Sequence, residues 1–215
     1  MKKNNILAHR GLWTHVHEKN TFGALSKALE LGYGIETDIR DSCGELVISH
    51  DLPFNNEMRV ERLLDQYETL DTGSMLALNI KSDGLSDKLS SILSSRNVSF
   101  KNHFFFDMSV PDMRSYFDGG MPVYTRLSEY ESHRSFSKKQ AGFWLDNFSG
   151  EYSQIETAKT LLMDGYSVAF VSPELHGRGY KDVWFKLLSD DTFQSNNFYL
   201  CTDFPVEAFD FFEVK

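Results

Sequence analysis

Short β-rich runs alternate with helix-compatible segments along nearly the whole chain of 215 residues, and most of the runs end in a polar or charged residue. Strands separated by helices are joined by crossovers and therefore lie parallel. About eight such units predict an α/β fold, a compact (β/α)8 TIM barrel that forms a single domain over residues 1–215. The predicted strands are 5–9, 34–40, 45–49, 75–81, 103–108, 122–126, 142–146, 166–171 and 197–202, and the predicted helices are 20–31, 60–69, 85–95, 111–118, 153–164, 180–189 and 205–213. The segment 128–141 hardly makes a full helix.

The residues at the ends of the predicted strands indicate where a site lies. In a TIM barrel the C-terminal ends of the strands converge on one face, and active sites are built there. A barrel with a purely structural role would not need charged groups at so many of these ends. The residues at these positions are His9, Arg10, Glu36, Asp38, His50, Asp51, Asn79, Lys81, Asp107, Arg126, Asp146, Glu174 and Asp203.

Two carboxylates in the stretch IETDIR raise a specific question. Glu36 and Asp38 are two residues apart in a predicted strand, so their side chains point to the same face. Like charges side by side repel each other and are costly to bury. A metal ion, a pair of basic side chains, or water on an exposed face would each hold them together. Two carboxylates also suit a hard dication such as Mg2+ or Ca2+.

Histidines and basic residues lie beside this acid pair. His9 and His50 both follow β-rich runs, and two imidazoles suit general acid–base catalysis near neutral pH. Arg10 and Lys81 add cationic donors, and arginine matches the geometry of a phosphate. A cation, two histidines and two basic side chains together indicate phosphodiester cleavage.

Charge and composition exclude other classes of protein. The formal net charge is −9, which disfavours a nucleic-acid-binding surface but leaves room for a small anionic substrate bound by a local basic cluster. Cys43 and Cys201 fit neither a disulfide framework nor a zinc pattern. The N-terminus lacks the apolar run of a signal peptide, and no window is apolar for the roughly 20 residues of a membrane span. We therefore expect a cytoplasmic protein with no integral membrane segment; the oligomeric state cannot be read from the sequence.

Several motifs resemble those of the glycerophosphodiester phosphodiesterase family. In chain order they are AHRG at 8–11, NT at 20–21, GIETDIR at 34–40, GELVISHD at 44–51, NIK at 79–81 and TDFP at 202–205. The first half of the chain is well covered, and the second half only at TDFP. The resemblance implies a TIM barrel of the phospholipase C-like superfamily. It also implies an enzyme of lipid metabolism that hydrolyses small or lipid-derived phosphodiesters with Mg2+ or Ca2+.

The resemblance assigns roles to individual residues. It implies that His9 and His50 are the catalytic pair and that Arg10 contacts the phosphate. It implies that Glu36 and Asp38 bind the metal ion. Asp51 matches the aspartate of the family's His-Asp pair, and Lys81 matches the lysine of its third-strand motif, which places Lys81 at the phosphate with Arg10.

Three departures from the family pattern affect the expected site. Asn79 stands where the family usually has a glutamate ligand, so a metal site would lose one charge while keeping an oxygen donor. In place of the usual Glu-Asn-Thr the chain has Glu18-Lys19-Asn20-Thr21, so either Lys19 takes the position of the glutamate or the loop has one extra residue, and Glu18 is not assigned a role. Residues 52–74 leave room for only a turn and one helix, so the family's cap insertion is expected to be missing.

Four further residues are candidates for the site: Glu174, Asp51, Trp13 and Asp146. Glu174 is the first choice to supply the charge that Asn79 lacks, because Pro173 would fix its direction.

Alternative functions remain open at this stage. An apolar lip around Trp13 and Phe54 would favour phospholipase C-like cleavage of a lipid, and a polar lip with His176 and Arg178 would favour a glycan phosphodiester. A non-catalytic barrel that only binds phosphate is a further alternative, which Asn79 motivates.

Overall fold

The computed structural model describes residues 1–54, 57–96, 98, 101–131 and 140–213. The strands are β1 Ile6–His9, β2 Gly34–Ser42, β3 Glu45–Ile48, β4 Met58–Arg59, β5 Leu76–Ile80, β6 His103–Phe106, β7 Tyr124–Leu127, β8 Gly142–Leu145, β9 Ser167–Val171 and β10 Phe198–Thr202. The helices are α1 Phe22–Glu30, α2 Val60–Leu70, α3 Ser86–Ser95, α4 Val110–Asp118, α5 Gln154–Met163, α6 Lys181–Leu188 and α7 Pro205–Glu213. Short 3-10 helices cover Lys3–Asn5, Val16–Glu18, Pro173–His176 and Asp191–Gln194.

Eight of the strands form a parallel ring. The order around it is β1, β2, β5, β6, β7, β8, β9 and β10, and β10 pairs with β1. Between β6 and β7 the ring is joined by a single parallel bridge, Phe105 to Val123, with a hydrogen bond of 2.9 Å from the Phe105 N–H to the Pro122 carbonyl. The predicted (β/α)8 barrel is therefore confirmed.

The strand predicted at 45–49 exists as β3, but it is not a member of the ring. It pairs antiparallel with the far end of β2, from Ile39 opposite Ile48 to Ser42 opposite Glu45. The turn between them is Cys43-Gly44, and both residues have positive φ, 49° and 80°. Two successive residues with positive φ form the tight turn of a β-hairpin. This turn makes β3 antiparallel to β2, although the alternation of strands and helices along the chain predicts a parallel strand.

One helix, α2, follows the short strand β4 before the ring resumes at β5. Within the described residues of 52–74, which omit 55 and 56, the structure contains the expected single helix and, in addition, the unexpected two-residue strand β4, which pairs with β3. Most of the segment 128–141 also lies outside it, since residues 132–139 are not described. None of the described helices is long and apolar enough to cross a membrane.

The barrel interior is filled by large side chains below its C-terminal mouth. Alternate residues of each strand point inward. Phe104 stacks on Tyr124 with ring centroids 3.7 Å apart, and Phe106 stacks on Trp144 at 3.9 Å. Phe105 points the other way, into the larger cluster between strands and helices. The interior cluster also contains Leu7, Met75, Ala77, Ala169, Val171 and Cys201.

The next inward positions along the same strands carry the polar groups. Leu7 is followed by His9 two residues on, Ala77 by Asn79, and Cys201 by Asp203. The same pleat therefore places an apolar layer in the middle of the barrel and a polar layer at its C-terminal mouth.

Candidate active site

His9 ends β1 and is held by a carboxylate from the other end of the chain. Its Nδ1 lies 2.6 Å from Oδ1 of Asp203, directly after β10, because β1 and β10 are neighbours in the ring. Burial lowers the pKa of His9, and the hydrogen bond to Asp203 only partly opposes this. An ionised Asp203 only accepts hydrogen bonds, so the neutral form of the His9 ring has its proton on Nδ1 and Nε2 available to accept one.

The backbone after His9 turns sharply at Arg10 and Gly11. Arg10 has φ 58°, its N–H donates to the Glu36 carbonyl at 2.9 Å, and its own carbonyl accepts from the N–H of Asn20 at 2.9 Å. Gly11 has φ 91°, and a Cβ there would lie 2.6 Å from the carbonyl carbon of Ala24. The glycine of the HRG motif is thus required for α1 to approach the barrel mouth.

Gly11→Ala is expected to lower the free energy of unfolding by about 2–4 kcal/mol, because strain at positive φ adds to a clash with helix backbone. Urea denaturation measures this. Gly23→Ala is the matched control: it lies in α1 with no neighbour within 4 Å of an added Cβ, so it should stabilise the helix slightly. Equal stabilities of the two variants would contradict the close approach at Gly11.

Asp38 lies at the centre of the basic groups and is fully buried. Its Oδ2 forms an ion pair with Arg10, whose Nε lies 2.9 Å away, and accepts a hydrogen bond from the Asn20 side-chain amide at 2.8 Å; its Oδ1 lies 3.3 Å from Lys81 Nζ. Thr37, the next residue on β2, donates to the other side of the Asn20 amide at 2.8 Å. Basic side chains therefore hold the Asp38 carboxylate in place.

Glu36 is as deeply buried but has fewer partners. The amide nitrogen of Asn79 donates to its Oε1 at 3.2 Å, and its Oε2 lies 3.9 Å from Nε2 of His9, beyond hydrogen-bond distance. Burial, followed by repulsion from Asp38, raises the pKa of Glu36 to about 8. The acid pair is thus unequal: Asp38 is neutralised by cations, and Glu36 lacks an equivalent partner.

The donor atoms at this position fit a hard divalent cation. Three buried oxygens accept no hydrogen bond: Oε2 of Glu36, Oδ1 of Asp38 and Oδ1 of Asn79. Carboxylate and amide oxygens are the ligands that Mg2+ and Ca2+ take. The described residues contain no group of three or more His, Cys, Asp or Glu side chains suited to a metal, so these three oxygens, one of them from an amide, are a sparse ligand set. Lys81 at 3.3 Å also competes for Asp38 Oδ1.

His50 follows β3 rather than a barrel strand. Its Nδ1 lies 2.9 Å from Oδ1 of Asp51, and both side chains are largely exposed, at 46% and 88%. A pocket of about 560 Å3 connects His50 with Arg10, so the hairpin brings the second histidine to the mouth beside the phosphate-binding candidate. No described contact joins the rings of His9 and His50.

Lys81 belongs to a chain of charges that extends around the mouth. Its Nζ lies between Asp38 and Oδ2 of Asp107 at 3.8 Å, and Asp107 Oδ1 lies 3.1 Å from Nη1 of Arg126. Burial raises the pKa of Asp107. Arg126 is also paired with Glu131. Cations and carboxylates therefore alternate from β2 to β7.

The additional candidates are placed as follows. Trp13 donates from its indole to the His9 carbonyl at 3.0 Å, with the Lys19 ammonium 4.4 Å above its ring. Asp146 lies 2.6 Å from Nε2 of His176.

Glu174 binds the hydroxyls of Ser172 and Thr202 and accepts from the N–H of Asp203 at 3.3 Å. Its described partners thus belong to β9 and β10, so it supports Asp203 and supplies no contact to Asn79.

Three site residues have no role assigned in the sequence analysis. Asp203 orients His9, Lys19 lies 3.3 Å from Asp203 Oδ2, and Asn20 joins Asp38 to Thr37. The TDFP motif places Asp203 at the end of a strand, which is a signal for a site residue. The signal for Lys19 is the departure from the family's Glu-Asn-Thr at that point of the sequence. Glu18 takes no part in the site: its Oε2 accepts the N–H groups of Thr14 and His15, within its own loop.

The mouth of the barrel thus carries an oriented histidine, two acids and two basic side chains. No family model matches the sequence, and no curated protein matches it. Among solved structures, a glycerophosphodiester phosphodiesterase from Agrobacterium tumefaciens is 16% identical with a TM-score of 0.68, over 100% of both chains. A phosphodiesterase from Oleispira antarctica, in complex with the product sn-glycerol-3-phosphate, is 14% identical with a TM-score of 0.67, over 97% of this chain and 96% of that one.

A Ca2+-dependent phosphatidylinositol-specific phospholipase C from Streptomyces antibioticus is also similar, 8% identical with a TM-score of 0.60, over 99% of this chain and 98% of that one. The fold of the chain is therefore similar to that of solved glycerophosphodiester phosphodiesterases.

Proposed function

We propose that the chain is a phosphoric diester hydrolase that cleaves a glycerophosphodiester or a related small phosphodiester. The observation that carries this proposal is the pair His9 and Asp203, placed beside the acids of β2 and the cations Arg10 and Lys81. A purely structural or phosphate-binding barrel has no need of a buried histidine oriented in this way.

The phosphate is held by Arg10 and Lys81, with His50 on the hairpin side. Both basic side chains keep about a fifth of their surface exposed at the mouth, so they can reach a phosphate while Asp38 fixes their positions. A divalent cation held by Glu36, Asp38 and Asn79 would neutralise phosphate charge as the reaction proceeds. The calcium dependence of the similar phospholipase C supports this cation.

Proton transfer is assigned to the two histidines. His9 accepts a proton at Nε2 from the attacking hydroxyl, while Asp203 stabilises the imidazolium that forms. His50, exposed and paired with Asp51, protonates the leaving oxygen. A water or a neighbouring substrate hydroxyl can serve as the nucleophile with the same residues.

The proposal is tested by assaying glycerophosphocholine and bis-p-nitrophenyl phosphate with Mg2+, with Ca2+ and with EDTA. Hydrolysis that needs a divalent cation is expected. Inactivity towards a broad panel, including lipid and glycan phosphodiesters, with every cation would contradict the enzyme and leave a phosphate-binding barrel.

Asn79→Asp is expected to tighten divalent-cation binding by about tenfold, because it adds a charge to the proposed ligands. Without cation it should destabilise the protein by about 1–3 kcal/mol, since a third carboxylate is buried beside Glu36. Calorimetry with Mg2+ and Ca2+ measures the affinity.

Asn5→Asp is the control. Asn5 is buried at the N-terminal side of β1, where its amide donates to the Asn196 and Phe198 carbonyls, so this substitution should lower stability without changing cation affinity. Unchanged affinity in Asn79→Asp would exclude Asn79 from the cation site.

A further inference from the structure

A pocket opens from Arg10 and His50 away from the barrel axis. Its volume is about 560 Å3, within the range of small-molecule sites. One wall comes from the loop before α1 and from Phe22, and the opposite wall comes from the residues after β3 and from α2, including Phe54 and Arg62. The same pocket therefore contains Arg10, at the proposed phosphate position, and Arg62, in the first turn of α2.

Most charged groups lining this pocket already have a partner. Arg10 is bound to Asp38, and Lys19 is bound to Asp203. Asp51 faces His50, and Glu57 accepts the backbone N–H of Phe54 at 2.7 Å.

Arg62 differs from these groups. No described residue forms an ion pair or hydrogen bond with it, and its guanidinium carbon lies 4.1 Å from the centroid of the Phe22 ring. Stacking on an aromatic face fixes the plane of a guanidinium without using its N–H donors. Arg62 therefore offers a guanidinium without a described polar partner, held against the Phe22 ring, in the same pocket as Arg10 and His50.

Part of the wall is apolar, beside the polar side chains of Asn20, Thr21 and Ser49. Leu52 and Phe54 are 73% and 87% exposed, and Phe22, Ile48 and Met58 line the same space. Such walls suit the carbon skeleton of an alcohol group, and a single cation beyond them suits a negative substituent on that group.

We propose that this pocket binds one alcohol group of the diester and that Arg62 selects alcohols carrying an anionic substituent, a carboxylate or a second phosphate. The inference rests on the proposed function, because it takes the scissile phosphate to lie at Arg10. Arg62 is then a specificity-determining residue that touches the substrate outside the reacting atoms.

The test uses two matched pairs of substrates. Glycerophosphoserine differs from glycerophosphoethanolamine by one carboxylate, and glycerophosphoinositol 4-phosphate differs from glycerophosphoinositol by one phosphate. The wild-type protein is expected to show a kcat/KM about threefold to tenfold higher for the anionic member of at least one pair, the range for a charge-assisted contact at a partly solvated site. The pair that shows the preference identifies the substituent.

Arg62→Gln should abolish this preference while leaving the rate on the less charged member within about twofold, and Arg62→Lys should keep part of it. Arg59→Gln is the matched control: it removes the same charge three residues earlier, but Arg59 pairs with Glu45 at 3.0 Å and does not line the pocket. Phe22→Leu should weaken the preference, since the guanidinium loses its support.

Equal rates within both pairs, or an unchanged preference in Arg62→Gln, would overturn the inference while leaving the hydrolase intact. Cleavage of other diesters but of none of these four would also overturn it. Calorimetric binding of the same four compounds separates the two proposals. A protein that binds the anionic members through Arg62 but cleaves no diester would contradict the proposed hydrolase activity and support the proposed pocket. A protein that binds all four compounds equally and cleaves none would contradict both proposals.

Discussion

Replacing His9 with alanine is expected to lower kcat/KM for a glycerophosphodiester by about 10³-fold, within the range for loss of a general base. Only 14% of the side chain is exposed, at the barrel mouth, and Asp203 at 2.6 Å from Nδ1 orients the ring. Asp203→Asn should cause a smaller loss, because the imidazole keeps its place but loses the carboxylate that stabilises its protonated form. Initial rates at saturating cation measure both effects.

His17→Ala provides the matched control for this prediction. His17 lies in the loop after β1, is exposed, and stacks on His15 with ring centroids 5.6 Å apart, away from Asp203. Its replacement should leave the rate unchanged. A His9→Ala variant that folds normally and retains most of its activity would remove His9 from the chemistry.

Asp38→Asn is expected to lower both stability and activity. The substitution leaves Arg10 and Lys81 without their buried counter-charge, which costs about 2–4 kcal/mol of the free energy of unfolding after allowance for the partial exposure of both side chains. Activity should fall by at least about 10²-fold, since both phosphate-binding groups lose their anchor. Urea denaturation and initial rates measure the two effects separately.

Asp65→Asn is the control for this variant. Asp65 pairs with Arg96 at 2.7 Å, but 64% of its side chain is exposed, so the loss in stability should be much smaller. If Asp38→Asn proved as stable as Asp65→Asn, the buried carboxylate would not be the anchor of the basic cluster.

The strands and helices could be predicted from the sequence because each has a local signal. Thr21 caps α1 by accepting the N–H of Ala24 at 3.3 Å, and the predicted helix 20–31 is observed as Phe22–Glu30. The strand predicted at 75–81 is observed as Leu76–Ile80. The direction of β3 is the exception, because the positive-φ turn at Cys43-Gly44 acts over two residues within a pattern interpreted over many more.

The site could be predicted only in part. The motifs locate His9, Glu36 and Asp38, and their proximity follows from the register that places His9 beside Glu36. What stabilises each charge depends on side-chain direction, which no motif specifies. The two carboxylates of IETDIR are therefore stabilised differently. Asp38 is held by the cations Arg10 and Lys81, whereas Glu36 accepts one hydrogen bond from the Asn79 amide at Oε1 and none at Oε2.

The pairing of β10 with β1 has a consequence for biosynthesis. Strands that emerge first from the ribosome cannot complete their hydrogen bonding until the last ones exist, and His9 and Asp203 are 194 residues apart in the chain. Contacts of such long sequence separation form late in folding. The pair of His9 and Asp203 therefore forms only after nearly the whole chain has been translated, and nascent or truncated chains that lack β10 carry the HRG motif without the carboxylate that orients its histidine.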